Sequence, residues 1–251
     1  MLMNPVISRK PAIAEDTGYS ITLQQSLDMT QGWQQQYPDA VRSFMYGRRV
    51  FEQLLNVPGC ESIRIFNGIN QENKQALIFV AVNDKGGNIL SYFLSNEEGL
   101  FKAEAPILDG GIPCPPICPA DPFAVYPQPV IKSRKSTGFP EVSGIGTFIS
   151  LNEARQMIHT WQHQQPEGVK SVLFGRHAFD AMLTTPDCDG VCVFNALDEQ
   201  QSHSFILLAV NRCAQSLHAI IEGEEAGPGP IGGGRPCPPS SQDAAQDLSD
   251  L

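Results

Sequence analysis

The sequence predicts an α+β fold, and three observations predict it. The chain repeats itself: shifted by 128 positions, Ile21–Asn83 lies over Ile149–Asn211 without a gap, with roughly a third of the residues identical. Each copy opens on a helix-start signal followed by apolar residues at helical spacing. Each copy closes on β-branched and aromatic runs separated by turn residues. A period this long marks a duplicated domain, since solenoid repeats run to about 20–50 residues. The expected organisation is a flexible start (1–17), unit one (18–118), a Pro/Gly-rich linker (119–145), unit two (146–239) and a disordered acidic tail (240–251).

The first helix of each unit begins at a capping box. Ser150 precedes Glu153 by three positions, so the hydroxyl serves an orphan N–H while the glutamate reaches back to the cap. Thr22 and Gln25 repeat the device in unit one. Leu151, Ala154, Met157, Ile158 and Trp161 then fall on one helical face. Leu23, Leu27 and Trp33 form the weaker stripe of the first copy, and Pro38 and Pro166 stop the two helices. A short extended run follows, Val41–Tyr46 or Val169–Phe174. Gly47 or Gly175 turns it into a second helix, whose buried face is Val50, Phe51, Leu54 and Leu55, or Ala178, Phe179, Met182 and Leu183. Pro58 and Pro186 end it.

Three strands complete each unit in this reading. Ser62–Asn67 and Gly190–Asn195 carry the residues strands prefer. Asn70–Gln75 and Asp198–His203 read as exposed hairpin loops, and Leu77–Asn83 and Phe205–Asn211 as returning strands apolar enough to be covered on both faces. After the turn Asn83–Asn88, Ile89–Leu94 is the expected third strand, with Ser216–Ile221 as its counterpart. The unit is therefore helix, short strand, helix and three-stranded antiparallel meander, helices on one face of the sheet, and the two units are expected to be related by a pseudo-two-fold axis. Ser95–Gly146 reads as a long loop, with Val125–Val130 at most an edge strand because of Pro127 and Pro129.

A net charge of −10 argues against nucleic acid and anionic membrane as partners, since both need clustered Lys and Arg. The one basic cluster, Lys132–Lys135, reads as a solvated loop. No run approaches the roughly 18 apolar residues that span a bilayer, and the start lacks the features of a secretory signal. Cytoplasm is the default placement, with an extracellular one open if the seven cysteines pair.

Two cysteine positions occur in both copies: Cys60 with Cys188, and Cys114 with Cys237, each of the latter opening a Cys-Pro-Pro. They are candidates for two bridges, Cys60–Cys114 and Cys188–Cys237, each stapling a Pro-rich tail to its sheet at about 4 kcal/mol in the chain-entropy picture. A local Cys114–Cys118 bridge, a thiolate metal site and plain thiols are the open alternatives. Cys192 and Cys213 stand where the first copy has Arg64 and Lys85, and read as incidental. His159, His163, His177, His203 and His218 all lie in the second copy and read as surface or helix-end residues, so a Cys188–His177 pair has no equivalent in the first copy. Arg48 and Arg176, each opening a helix after glycine, are the shared charged residues that read as members of ordinary ion pairs or as donors to a carboxylate or phosphate. Trp33 and Trp161 read as core anchors, Asn67, Asn195, Asn83 and Asn211 as turn-bonding strand ends, and Gly227–Arg235 as a flexible segment.

The run Pro-Gly-Cys-Glu-Ser-Ile-Arg-Ile-Phe-Asn at 58–67, the run Val-Ala-Val-Asn-Asp-Lys-Gly-Gly-Asn at 80–88 and the closing Cys-Pro-Pro-Ile-Cys resemble a family of small, uncharacterised bacterial proteins built from one such unit with a Cys-Pro-Pro-x-Cys tail. The second unit departs from that pattern by lacking the last cysteine and the Gly-Gly turn. The resemblance implies no activity, and no functional residue is carried over from it.

The sequence thus leads to a non-catalytic, self-associating structural or scaffold protein, without cofactor or metal, whose partner is itself, as a homo-oligomer or filament. The alternatives are a small-molecule or peptide-binding module with a cleft between units near Arg48 and Arg176, and a thiol redox protein.

Overall fold

The computed structural model describes residues 17–96, 99–114, 142–212, 214–217, 219–221, 224–226, 231–232 and 235–237. Val125–Val130, the basic cluster, Cys118, Cys213, His218 and both chain ends lie outside them.

In chain order the elements are β1 (Tyr19–Ser20), α1 (Leu23–Gln36), β2 (Ser43–Gly47), α2 (Arg48–Leu55), β3 (Ser62–Ile69), β4 (Gln75–Val82), β5 (Ser91–Asn96), β6 (Gly99–Glu104), β7 (Ile107–Asp109) and β8 (Ile112–Cys114). After a 3₁₀ turn at Val142–Gly144 come β9 (Thr147–Phe148), α3 (Leu151–Gln164), β10 (Ser171–Gly175), α4 (Arg176–Leu183), β11 (Gly190–Leu197), β12 (His203–Val210), β13 (Ala219–Ile221), β14 (Glu224–Ala226), β15 (Ile231–Gly232) and β16 (Arg235–Cys237). The mixture is α+β, as expected.

The helix ends follow from local chemistry. The Thr22 hydroxyl accepts from Gln25 N while the Gln25 side chain accepts from Thr22 N, so α1 starts on a complete capping box. Ser150 accepts from Glu153 N at the start of α3. Both helices stop two residues before a proline, at Gln36 and Gln164.

Sheet membership departs from the expected unit. Among the described residues two six-stranded antiparallel sheets form, ordered β1-β15-β12-β11-β2-β8 and β16-β10-β3-β4-β7-β9. The short strand of each half therefore leaves its own meander. β2 pairs with β11, Gly47 opposite Gly190, and β10 pairs with β3, Gly175 opposite Ser62. The first helices follow their strands: α1 lies on β11 and β12, α3 on β3 and β4. Residues 17–47 and 147–175 thus act as arms, each seated on the sheet of the other half.

The expected third strands are also elsewhere. Ile89 N bonds Ala81 O, after which the chain leaves β4 and forms a separate hairpin, β5 with β6; β13 and β14 do the same. The place beside β4 is taken by β7, and that beside β12 by β15. The stretch read as a long loop accordingly holds β6, β7 and β8. Their short lengths and isolated prolines hide them from a periodicity argument.

The largest core lies between the sheets and takes residues from both halves: Val172 and Phe174 beside Ile63 and Ile65, Phe44 and Tyr46 beside Val191 and Val193, with α2 and α4 among them. Phe51 of α2 stacks on Phe179 of α4 at 5.3 Å. Two outer cores sit beneath the first helices, one with Ile21, Met45 and Cys192, the other with Phe66, Ile78 and Met157. With both faces covered, all eight residues of β3 and of β11 are buried. Gly68 of β3 allows this close helix approach, because a Cβ there would meet Ile78 Cδ1 and the Met157 Cβ of α3.

Candidate functional site

The seam between the halves collects the shared polar residues. Arg48 opens α2, and its Nη1 donates to Leu183 O at 2.8 Å and Cys188 O at 3.2 Å, both in the other half. Arg176 opens α4 and donates from Nη1 to Leu55 O at 2.8 Å and Cys60 O at 3.1 Å. Leu183 and Leu55 end α4 and α2, so each guanidinium satisfies an orphan carbonyl and opposes the negative end of a helix dipole. The backbone joins in: Arg48 N bonds Asp189 O, and Arg176 N bonds Glu61 O, both at 2.8 Å. Each Nε also meets a carboxylate one turn on, Glu52 at 2.6 Å or Asp180 at 3.3 Å. The two arginines thus make the ordinary ion pairs that the sequence also suggested and bond carbonyls across the halves.

A second polar group lies deeper. Asn67 and Asn195 are buried in mid-strand, at 0% and 1% exposure, rather than bonding turns as expected. Asn67 Nδ2 donates to Val169 O at 3.1 Å, and Asn195 Nδ2 to Val41 O at 2.8 Å, each carbonyl belonging to the opposite arm. Between them stand Gln75 and His203. Gln75 Nε2 bonds the Oδ1 of both asparagines, at 2.9 and 3.3 Å. His203 Nε2 meets Asn195 Oδ1 at 2.8 Å, and Asn67 Nδ2 meets His203 Nδ1 at 3.4 Å. These partners assign a neutral ring with its proton on Nε2.

Half-buried rather than free on the surface, His203 stacks on Trp33 at 4.4 Å and abuts Phe205 edge-on. Burial of the ring pushes its pKa down to about 3. The tryptophans are buried, as core anchors should be. Trp33 Nε1 donates to Val41 O at 3.2 Å, whereas the buried Trp161 Nε1 has no hydrogen-bond partner among the described residues. Asn83 and Asn211 do bond their own turns, accepting from Gly87 N and Gln215 N. The signal for the other pair was present: an asparagine at the same place in two otherwise apolar runs is a polar group that needs a buried partner.

The cysteine bridges require correction. Cys60 and Cys188 are free and buried, as is Cys192. Their thiols donate to Ser62 O at 3.3 Å and Gly190 O at 3.4 Å. The bridges Cys60–Cys114 and Cys188–Cys237 therefore do not form. The reason is the strand exchange: β8 carries Cys114 into the β11 sheet while Cys60 precedes β3 of the other, and β16 carries Cys237 away from Cys188 in the same way. Cys114, opposite Ser43, is disulfide-bonded to a side chain outside those described; Cys237 lies opposite Ser171. Burial pushes the Cys60 and Cys188 thiols up and that of Cys192 to about 12, away from the thiolate that thiol chemistry needs.

One half-buried acid, Asp109, was missed. Burial, and then the charge of Glu153, raise the Asp109 pKa to about 6; the Gly110 N–H and the Tyr46 hydroxyl act against them. Tyr46 Oη donates to Leu77 O at 3.1 Å, and burial and Asp109 push its own pKa well up.

The β5–β6 hairpin stands apart from both sheets. Phe93 is 63% and Leu100 69% exposed, and Leu94 and Phe101 are also exposed. Tyr92 alone of its aromatic residues packs against the central core. Among the described residues no helix is long and apolar enough to cross a membrane. Compared with protein-family models, curated proteins and solved structures, the chain matches none.

Proposed function

We propose that this chain is a non-catalytic scaffold: a duplicated unit folded as a fused, strand-exchanged pair about a pseudo-two-fold axis, working by association with further copies of itself. Several facts support the axis. The two sheets have the same strand order, and β2–β11 and β10–β3 share one register 128 residues apart. Phe51 stacks on its own counterpart, Phe179, as residues beside such an axis must.

The exposed β5–β6 hairpin carries the functional reading. A two-stranded ribbon is marginal by itself in water, and this one displays aromatic and aliphatic side chains of the sort that mark protein–protein contacts. Light scattering of the native protein over a concentration series tests it. Mass should rise with concentration, and Phe93→Asp with Leu100→Asp should abolish the rise while the melting temperature holds. A native chain that stays monomeric at high concentration sinks the reading.

A further inference from the structure

We infer that each half of this chain can be completed by a second copy of the chain as well as by its own other half. The exchanged arms are the docking element, and the β3 and β11 edges are the acceptors. The inference rests on the exchanged-pair reading above and is independent of the hairpin.

The contacts that join the halves would be the same in either case. Arm 17–47 brings β1 to β15, α1 to β11 and β12, and β2 to β11. Without such an arm, β11 is an open strand edge whose own residues Val191 and Val193 are fully buried when the arm is present. Open apolar edges take up strands, and the natural strand here is one whose register is already fitted. β3 and β10 repeat the situation.

The covalent tie does not force the pairing within one molecule. Cys114 lies opposite Ser43, and Ile145 O accepts from Gly47 N, so residues 115–141 start and finish beside the same five-residue strand. That strand is about 17 Å long. The roughly 27 intervening residues have a contour near 90 Å at about 3.3 Å each. A covalent connection that can reach this far does not decide which copy supplies the arm. Folding of dilute protein therefore yields closed monomers, while folding at high, near-millimolar concentration yields exchanged rings of two copies and longer head-to-tail chains.

Met45 and Cys192 stand opposite one another across β2 and β11, which provides the test. One full-length chain carries Met45→Cys with Cys192→Ser; the other, distinguished by a mass tag, keeps the native residues. The two are refolded together from denaturant near millimolar concentration and oxidised with glutathione disulfide. We expect a mixed covalent species of twice the chain mass, absent when the chains are folded separately and then mixed, and absent when the acceptor also carries Cys192→Ser. A Met45→Cys single variant folded dilute should close its bridge to Cys192 internally. If it closes but co-refolding gives no mixed species, exchange between copies is overturned, leaving the fused pair and the hairpin contact intact. If it does not close, the β2–β11 pairing falls, and the inference with it.

Discussion

The guanidinium of Arg48 donates to the backbone carbonyl of Leu183, 2.8 Å away and 135 positions further along the chain. Arg176 makes the matching bond to Leu55. Each arginine thus closes the last turn of the helix that the other one opens.

Truncating either residue orphans two carbonyls and removes a cation from a helix C-terminus. Arg48→Ala and Arg176→Ala should each lower stability by about 1–2 kcal/mol, because hydrogen bonds to charged donors are worth more than neutral ones while partial exposure weakens them. The double variant should lose about the sum. Urea unfolding midpoints provide the check.

The asparagines predict an asymmetry. Val41 O keeps the Trp33 indole N–H when Asn195 is removed, whereas Trp161 offers Val169 O no such bond. Asn67→Ala should therefore cost about 2–3 kcal/mol and Asn195→Ala about 1 kcal/mol less, given the penalty for an unpaired buried acceptor. Thermal melts of both variants at neutral pH would show the order.

Two groups tie stability to pH in opposite directions. His203 has its pKa lowered from 6.5 to about 3, so the unfolded chain binds the proton first. Its contribution is whole above pH 6.5 and is lost as pH falls toward 3. Protonation would also set a second ring N–H against the Asn67 amide. His203→Gln, which installs the residue found at the matching position 75, should remove this acid loss.

Asp109 works the other way. Its pKa rises from 3.8 to about 6, so the folded state holds the proton more tightly. That contribution is whole below pH 3.8 and is lost as pH rises to about 6, because burial and the charge of Glu153 disfavour the carboxylate. Asp109→Asn should abolish this fall. Unfolding midpoints of both variants between pH 3.5 and pH 7 separate the effects.

Gly47 marks a close approach, since a Cβ there would strike the carbonyl oxygens of Val142 and Ser143. Its backbone is in the ordinary extended region, so space rather than conformation demands glycine. Gly47→Ala should cost about 1–3 kcal/mol, as overpacking does, measurable by calorimetry.

Element boundaries were legible because their causes are local. Thr22, Ser150, Pro38 and Pro166 set the first helices, and the apolar runs of β3, β4, β11 and β12 announced strands covered on both faces. Strand exchange was not legible. Ile63, Ile65, Phe66 and Asn67 in β3 match Val191, Val193, Phe194 and Asn195 in β11 nearly type for type. A strand such as β2 reads the same surface in either, and only the three-dimensional path decides between them. The cysteine staples failed for that reason, having been drawn within units whose strands change sheets. His203 was misread because its neighbours in sequence are polar while its neighbours in space are Trp33 and Phe205.

A ribosome making this protein releases β2 well before it has made β11. About 150 further residues must be joined before the partner emerges, on the order of 10–30 s at ordinary elongation rates. Through that interval β2 has only β8 of its two native neighbours, and the helix α1 lacks both of the strands it covers. The nascent chain is therefore a natural client for holding factors, and its folding belongs to the time after synthesis rather than during it.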